Sequence, residues 1–357
     1  MRFYCAVLFV LILSSSARGQ DVIDLQEHIE AILSTTNEAD NQSYYDLLIH
    51  YSEHPVDLNK CSAAQLSTLG LLSDHQIKAF FEHVNNLGPL HSIYELQAID
   101  LFDHGTIKRL LPFVAVKTKN SPNGRFKGLI RSQSNYFLSK YQRVLETKNG
   151  YRNGGYIGPP GLAQLRLKLT DPGNMSFGLV AQKDPGEQYL QPEIPVPDFF
   201  AGHFYMQDLG PIKQLAVGDY KLQFGQGLNL GSGFLTGKNS QVIRAVKQST
   251  LGVLPYSSVT EYDFFRGAAT NVSIGKHLNV TAFISTRNLD ATLHQDSLDS
   301  YVTSIRKTGL HRTPSELNGK NAMHEIVAGG QIGYSGKHFN VGVLTANTFY
   351  QHPLQPK

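Results

Sequence analysis

The chain has 357 residues, of which 41% are hydrophobic and only 17% are charged. This charged fraction lies below the roughly 25% of ordinary soluble domains, and 32 glycines, 17 tyrosines and 19 phenylalanines favour β-structure over a helical bundle. Residues 21–117 carry 14 acidic and 5 basic side chains, whereas residues 118–357 carry 15 acidic and 25 basic ones. The length and the two opposite charges predict two domains of different character.

The first residues are typical of a targeting segment. Arg2 precedes an apolar run over residues 3–13, and small residues follow at Ala17 and Gly19. This pattern predicts a signal peptide over residues 1–19 and therefore an exported protein. No later stretch reaches the roughly 18 apolar residues that a transmembrane helix needs. The mature chain keeps one cysteine, Cys61, which we expect to serve packing rather than chemistry.

Helical periodicity dominates up to residue 117. A helical segment is predicted over residues 20–55, and Pro55 ends it. Capping boxes follow at Ser62–Gln65 and Ser92–Glu95. In a capping box the serine side chain and the side chain three positions later both accept hydrogen bonds from free N–H groups at the start of a helix. Asp74 is predicted to cap a helix whose apolar stripe comprises Ile77, Phe80, Phe81 and Val84.

Two stretches within this region carry a family resemblance. They are Val56-Asp-Leu-Asn-Lys-Cys-Ser-Ala-Ala-Gln-Leu-Ser-Thr-Leu69 and Gly88-Pro-Leu-His-Ser-Ile-Tyr-Glu-Leu96. They resemble the helix-hairpin-helix domain of competence DNA receptors, which we expect over residues 56–117. The resemblance implies nucleic-acid contacts at Lys60, Lys78, Lys108 and Arg109. The hairpins depart from the family, because they lack paired glycines and are flanked by acidic residues, and an acidic domain repels the phosphate backbone. A scaffold or protein-docking role is the alternative.

The hydrophobic period changes from 3.6 to 2 near Arg125. Ala163, Leu165, Leu167 and Leu169 alternate with polar residues, and nine strands of similar pattern are predicted. They are placed at 125–138, 162–171, 175–184, 200–208, 213–224, 264–275, 278–287, 326–335 and 338–350. Their connections alternate between long and short, as in outer-membrane barrels, which have short periplasmic turns and long extracellular loops. We therefore predict a partial antiparallel β-barrel over residues 125–357, with the helical domain in the periplasm.

The same alternation assigns faces to the strands. The alternating series from Ala163 to Leu169 is expected to meet lipid, whereas Gln164, Arg166 and Lys168 are expected to face the lumen, where polar groups stay hydrated. With no tryptophan in the chain, an interfacial aromatic girdle must come from tyrosine and phenylalanine. Candidates for that girdle are Tyr205, Tyr220, Phe224, Tyr334 and Phe349.

Two further stretches of the β-region carry a second resemblance. They are Gly218-Asp-Tyr-Lys-Leu-Gln-Phe-Gly-Gln-Gly-Leu228 and Phe264-Phe-Arg-Gly-Ala-Ala269. Both are similar to segments of large outer-membrane proteins of the Bacteroidota that carry an amino-terminal helix-hairpin-helix domain. This resemblance implies an outer-membrane location more than an activity. Single-chain bacterial barrels have even strand numbers, so nine predicted strands lead us to expect a C-terminally truncated fragment of a longer protein.

Candidate catalytic groups are sparse. No serine lies in a G-x-S-x-G context, and His203, His277, His294, His311, His324 and His338 form no helix-spaced metal pair, so surface or loop positions are predicted for them. Arg266 is interpreted either as a buried or lumenal cation or as a strand-end residue at the membrane interface.

The sequence therefore favours a non-enzymatic outer-membrane protein for envelope transport or assembly, without cofactor or metal. Its expected partners are outer-membrane lipid and a periplasmic protein. The alternatives are a DNA-uptake component that binds nucleic acid through the helical domain, and a secreted, soluble β-rich hydrolase.

Overall fold

A computed structural model describes residues 25, 27–32, 41–53, 55–116, 128–130, 132, 135–171, 175–188, 197–231, 250–275, 277–295, 300–336 and 339–355. The predicted signal peptide lies outside these residues. The described residues fall into two compact units, one made of residues up to 116 and the other of residues from 128 onwards. The fold is therefore α+β, with a helical first unit and a β-rich second unit that contains a large antiparallel sheet.

The first unit is a set of short helices. They are α1 Asn41–Glu53, α2 Ala63–Thr68, α3 Asp74–Leu87 and α4 His104–Leu110, with 3-10 helices at Ile93–Ala98 and Leu111–Phe113. Residues 27–32 are also helical. Strands β1 Val56–Asp57 and β2 Val114–Ala115 pair in parallel, so the two ends of residues 56–115 meet.

Both predicted capping boxes are confirmed. The Ser62 side chain accepts from the Gln65 N–H at the start of α2, and Ser92 with Glu95 forms the same pattern, although it opens a 3-10 helix. The prediction that Asp74 caps the next helix was wrong, because Ser73 is the N-cap and its box partner is Gln76. Ser73 and Asp74 are adjacent in the chain, and serine and aspartate are both favoured at the N-cap position, which explains the error of one residue.

One side chain connects the two halves of this unit. The Asn59 amide donates to the Leu90 carbonyl and accepts from the Leu90 N–H, with both distances at 2.8 Å. Cys61 lies nearby, partly buried, and its Sγ donates to the Leu58 carbonyl. Burial raises the pKa of this thiol to about 12, so it stays protonated and packs as expected.

Twelve strands lie in the described part of the second unit. They are β3 Tyr136–Arg143, β4 Gly161–Asp171, β5 Met175–Lys183, β6 Phe199–Leu209, β7 Ile212–Gln223, β8 Gly252–Pro255, β9 Phe265–Ile274, β10 Leu278–Leu289, β11 Ala291–Gln295, β12 Ser300–Ile305, β13 Met323–Ser335 and β14 Asn340–Tyr350. Two short helices, α5 Asn149–Arg152 and α6 Pro314–Asn318, lie in the longer connections.

Ten of these strands form one antiparallel sheet in the order β14-β13-β10-β9-β7-β6-β5-β4-β3, with β8 paired beside the end of β7. Strands β11 and β12 form a separate hairpin. Strands β3 and β14 are the two edges, and within the described residues no pairing joins them. Eight of the predicted strands match observed ones closely, but the first was misplaced, because residues 128–130 are helical and β3 begins at Tyr136.

The connections within the sheet alternate in length. Those after β4, β6, β9 and β13 span no more than four residues, and the others are much longer. Gly210 and Gly275 take positive φ angles of 65° and 67° in two of the short turns, a backbone state that glycine adopts without strain. All short turns lie at one end of the sheet, and the chain enters β3 at that same end, since Tyr136 pairs with Lys168 near the end of β4.

Candidate functional site

The two faces of the sheet differ in an unusual way. Large apolar side chains are exposed on one face, including Ile284 at 53%, Ile332 at 57% and Val343 at 72% of their surface. The others on this face include Phe137, Tyr141, Leu165, Phe200, Val217, Ile274, Ile326, Tyr334, Val341 and Phe349. An extended exposed apolar surface of this kind marks an interaction surface in a folded protein.

The opposite face holds buried polar residues. Lys168, Ser176, His203, Thr281 and Ser285 are each at most 3% exposed and lie on strands that also carry the exposed apolar residues. The same face contains the main core cluster of the sheet, which comprises Tyr205, Ala216, Tyr220, Leu222, Phe224, Val253, Ala269, Phe283 and Val327. Tyr205, Tyr220 and Phe224 therefore pack inside the protein, and the prediction that they belong to a surface girdle was wrong.

The residues predicted for the lumen all lie on this polar face. Lys168 is buried, Gln164 and Arg166 are half-buried, and Leu165 between them is exposed on the other face. Cross-strand pairing places Gln164 opposite Lys140 and Gln182, and Arg166 opposite Leu138 and Val180.

The cations predicted for nucleic-acid contacts are dispersed over the helical unit. Lys60 lies before α2 at 3.8 Å from an Asp57 carboxylate oxygen, and Lys78 lies on α3 at 3.6 Å from Glu82. Lys108 and Arg109 are exposed in the last turn of α4, where Arg109 donates to the Thr106 hydroxyl. Lys108 and Arg109 thus lie together on α4, whereas Lys60 and Lys78 each lie near a carboxylate of the helical unit.

A buried charged cluster lies among the long connections of the second unit. His311 is 3% exposed, and its Nδ1 lies 2.5 Å from Asp198 Oδ2 while its Nε2 lies 2.6 Å from Asp290 Oδ2. Lys320 Nζ donates to Asp198 Oδ1 at 2.6 Å, and the backbone N–H of His311 donates to Glu187 Oε1 at 2.8 Å. The cluster joins the connection between β5 and β6 to the connection between β10 and β13.

The electrostatics of the cluster favour a charged imidazole. Burial disfavours the imidazolium, but hydrogen bonds from both ring nitrogens to Asp198 and Asp290 outweigh burial and raise the pKa of His311 to about 10. Burial likewise opposes ionisation of Asp198, but hydrogen bonds from His311 and Lys320 lower the pKa of its carboxyl. Both partners are therefore ionised at neutral pH.

Metal binding is a second chemistry to consider here, because one donor atom each of Glu187, Asp198 and His311 lies within 4.8 Å of the others. Histidine binds a metal through a nitrogen lone pair. Both ring nitrogens of His311 lie within hydrogen-bond distance of a carboxylate, and its raised pKa leaves both protonated at neutral pH. The donor set is thus used for internal ion pairs, and it does not fit a metal in this protonation state.

A cleft of 340 Å³ opens beside the cluster, between the ends of β6, β9 and β10 and the connection before β13. Its walls include Phe200, Glu261, Asn288 and Asn321, together with the cluster residues Asp198, Asp290, His311 and Lys320. Burial first, and then the nearby Asp198 and Glu187 carboxylates, raise the pKa of Glu261 to about 9. Glu261 therefore presents a neutral carboxylic acid to the cleft at neutral pH.

Three arginines line the same cleft. Arg306 donates to the Thr292 hydroxyl and to the Ser315 and Glu316 carbonyls, and the other two each have a carboxylate partner. Arg266 Nε lies 2.7 Å from Asp219 Oδ1, and a second guanidinium nitrogen donates to Asp219 Oδ2 at 3.1 Å. Arg287 Nε donates to Glu325 at 2.9 Å. The guanidinium of Arg266 is also 5.5 Å from the centre of the Phe264 ring. Arg266 is thus a half-exposed strand-end cation held by a buried carboxylate.

Sequence reasoning missed this site. Surface or loop positions were predicted for the histidines, and His311 does lie in a loop, but it is buried there. For His203, which is buried within β6, the prediction was wrong. His203 lies within the sheet, where Nδ1 donates to the Tyr256 carbonyl and Nε2 accepts from the Ser176 hydroxyl at 3.2 Å. His338 lies outside the described residues. The partners of His311 are separated from it by up to 124 positions in the chain, so no local spacing could reveal them.

Comparison with known proteins gives no match: no protein-family profile, no curated protein and no solved structure is detectably similar to this chain. Among the described residues, none of the helices combines the length and apolar character required to cross a membrane.

Proposed function

We propose that the chain is a non-enzymatic outer-membrane protein whose sheet forms part of a β-barrel wall, with its exposed apolar face toward lipid. The observation that carries this proposal is the distribution of polarity between the two faces of one sheet. Ile284, Ile332 and Val343 are exposed on one face, whereas Lys168, Thr281 and Ser285 are buried on the other face of the same sheet. Water-soluble sheets place polar residues outward, but a membrane barrel reverses that pattern.

The connections support the same proposal. Short turns at one end and long connections at the other are the arrangement of outer-membrane barrels, in which the short turns face the periplasm. The chain enters β3 at the short-turn end. The preceding helical unit, which we interpret as a helix-hairpin-helix domain, would then reside in the periplasm. A role in envelope transport or assembly follows from this location.

We infer that the helical unit binds a protein partner rather than nucleic acid. Lys60 and Lys78 are near carboxylates of their own unit, and that unit carries an excess of acidic residues. Nucleic-acid affinity depends on neutralising several phosphates, which an acidic surface opposes. Mobility-shift assays with duplex DNA would compare the full chain with a variant in which Lys60, Lys78, Lys108 and Arg109 are all changed to glutamate. DNA binding that the four substitutions abolish would contradict this inference.

The membrane proposal is tested by one substitution on the apolar face. Ile284 lies in the middle of β10 and is 53% exposed. Ile284→Arg would place a charge in lipid and cost about 2–4 kcal/mol near the bilayer midplane, whereas a soluble protein would tolerate it at an exposed position. Ile284→Leu is the matched control. The measurement is the amount of protein that remains in alkali-washed outer membranes.

The expected result is a marked loss of membrane-inserted protein for Ile284→Arg and no loss for Ile284→Leu. Equal recovery of both variants in a soluble fraction would overturn the proposal and would favour a soluble β-rich protein.

A further inference from the structure

The cleft at the end of the sheet borders both the apolar face and the long connections. Phe200, the second residue of β6, is 48% exposed on the apolar face and lines the cleft. Arg266 belongs to the same face, because the preceding Phe265 packs against the core cluster and successive residues of a strand point to opposite faces. Asn288 also lies on this face, four positions after the exposed Ile284 of β10. The cleft therefore adjoins the surface that the proposed function turns toward lipid.

The cleft lies at the long-connection end of the sheet. Strand β10 has 12 residues, and it starts next to a short turn at Leu278 and reaches the cleft at Asn288, its last residue but one. A tilted strand crosses the hydrocarbon layer of a membrane in about 9–11 residues. In the proposed orientation the cleft is therefore at the level of the lipid headgroups. A phospholipid has its phosphate at this level and its acyl chains below it, and the cleft and the apolar face follow the same order.

Five cationic side chains line the cleft, and four of them contact carboxylates. The guanidinium of Arg266 pairs with Asp219, and that of Arg287 pairs with Glu325. Two further carboxylates, Asp198 and Asp290, neutralise the remaining pair of these four, His311 and Lys320. Breaking such a buried pair is costly, because it leaves an uncompensated charge. A ligand is therefore selected by the groups that these pairs leave over.

Arg306 is the fifth cation, and it contacts only neutral acceptors among the described residues. Its Nε donates to the Thr292 hydroxyl, and its Nη1 donates to the Ser315 and Glu316 carbonyls at 3.0 and 3.4 Å. The Glu316 carboxylate instead pairs with Arg312. Within the described residues the charge of Arg306 thus has no carboxylate partner, which favours an anionic ligand in the cleft.

Two guanidinium groups keep donors for such a ligand. Arg306 Nη2 donates no hydrogen bond within the described residues, and Arg287 binds Glu325 through Nε alone. A guanidinium presents five N–H donors in a planar fork that matches the oxygens of a phosphate or a carboxylate. The terminal N–H groups of both side chains are therefore available to an oxyanion.

Neutral donors complete the lining. The carboxyl of Glu261 is protonated at neutral pH and does not repel an anion. The side-chain amides of Asn288 and Asn321 line the cleft without a hydrogen-bond partner among the described residues. A protonated carboxyl donates one hydrogen bond and an amide donates two. The number of donors suits a phosphate, which has more oxygens to satisfy than a carboxylate has.

We propose that this cleft binds the phosphate headgroup of an anionic membrane lipid, whose acyl chains lie on the apolar face beside Phe200. Arg306 and Arg287 bind the phosphate oxygens through their terminal N–H groups, and Glu261 and Asn288 donate to the remaining oxygens. The cleft volume of 340 Å³ lies near the lower end of the roughly 300–1,000 Å³ of small-ligand pockets, so it holds a headgroup and leaves the acyl chains outside. The inference rests on the proposed membrane location of the sheet.

Phe200→Trp makes the lipid beside the cleft observable, because the chain contains no other tryptophan. The full chain with this change is reconstituted in phosphatidylcholine vesicles that contain a small fraction of one brominated lipid. This lipid is phosphatidic acid, phosphatidylcholine or a fatty acid, each brominated in its acyl chain. Bromine quenches tryptophan fluorescence on contact, so the quenching measures the relative affinity of this position for each lipid. Inorganic phosphate is the soluble competitor in a parallel titration.

Brominated phosphatidic acid should quench at roughly one-tenth of the fraction that brominated phosphatidylcholine requires, the effect of about one charge-assisted hydrogen bond. Arg306→Gln should abolish most of this preference. Arg152→Gln is the matched control, because Arg152 is exposed in α5 and lies outside the cleft. Since Arg306 also binds the carbonyls of α6, Asn288→Asp is a second test. It adds a negative charge at an exposed position, breaks no hydrogen bond within the described residues and should have the same effect.

The possible failures are distinguishable. Equal quenching by brominated phosphatidic acid and phosphatidylcholine, or a preference that survives both Arg306→Gln and Asn288→Asp, would overturn this inference alone. An equal preference for the fatty acid would mean that the cleft selects charge and not phosphate, and loss of the preference in millimolar inorganic phosphate would assign the site to free phosphate. Absence of quenching in vesicles made wholly of brominated phosphatidylcholine would instead contradict the membrane location, and the proposed function with it.

Discussion

His311 Nδ1 lies 2.5 Å from Asp198 Oδ2, although 113 residues separate the two in the chain. The contact joins the connection before β6 to the connection before β13, and a second bond from Nε2 to Asp290 brings in the end of β10. Three separate parts of the chain thus meet at one imidazole. A residue in this position fixes the geometry of the long connections and of the cleft beside them.

Replacing His311 by glutamine should destabilise the second unit strongly. Asp198 and Asp290 would lose their shared cation, and removing one member of a buried ion pair typically costs about 3–5 kcal/mol. His294→Gln is the control, because His294 is exposed and stacks on Tyr301 without an ion pair. Denaturant unfolding of the full chain, followed through its tyrosine fluorescence, measures the difference. Equal stability of the two variants would contradict a structural role for the cluster.

The stability of the second unit should also fall as the pH rises. The pKa of His311 is raised from 6.5 to about 10 in the folded chain, so its contribution is complete below pH 6.5 and is lost as the pH rises to about 10. In the His311→Gln variant this part of the pH dependence should be absent. Unfolding midpoints measured at several pH values between 6 and 10 test the prediction. If the unfolding midpoint of the variant changed with pH as steeply as that of the parent, the pH dependence would belong to other groups.

Glu261 should contribute to the same trend through a different pH range. Burial and neighbouring carboxylates raise its pKa from 4.5 to about 9, so the folded state binds this proton more tightly than the unfolded state does. Its favourable contribution is complete below pH 4.5 and is lost as the pH rises to about 9. Glu261→Gln retains the shape and the neutral state, so it should flatten the decline over this range. A variant less stable than the parent at pH 8 would contradict the prediction.

The close approach of Gly178 and His203 in the sheet leads to another prediction. A Cβ atom added at Gly178 would lie 2.4 Å from His203 Cε1, which is held by Ser176 and by the Tyr256 carbonyl. Gly178→Ala should therefore cost about 1–3 kcal/mol, the usual effect of overpacking. Gly333→Ala is the matched control, because its Cβ would meet no atom closer than 3.7 Å. Thermal unfolding of both variants should show a loss for Gly178→Ala alone.

Most of the sheet was predictable from sequence because it depends on local patterns. Alternating residues such as those from Ala163 to Leu169 define a strand, and a positive-φ glycine such as Gly275 marks a short turn. Three observed strands, β8, β11 and β12, were not predicted. They lie in the long connections and are short, so their pairing partners rather than their own periodicity decide their structure. The charged cluster was not predictable for the same reason, since Asp198, Asp290 and His311 are far apart in the sequence and meet only through the tertiary fold.

The helical unit offers a final prediction at Leu101. This residue has a φ of +72° and is 62% exposed, just before the α4 N-cap Asp103. A left-handed backbone costs an ordinary L-residue about 1–2 kcal/mol, whereas glycine adopts it freely. Leu101→Gly should therefore relieve this backbone strain and stabilise the unit by roughly 1 kcal/mol. The greater chain entropy of glycine in the unfolded state offsets part of that gain. The increase should appear as slower hydrogen exchange at the buried amides of α4 in the full chain.

Leu87 provides a matched control for this change, because it is also an exposed leucine of the helical unit but lies in the last turn of α3. Glycine at a helical position is less favourable than leucine by up to about 1 kcal/mol, so Leu87→Gly should accelerate exchange in α3. Opposite signs for the two substitutions would assign the effect of Leu101→Gly to backbone strain. Destabilisation by both would instead mean that the Leu101 side chain makes contacts whose loss outweighs the strain relieved.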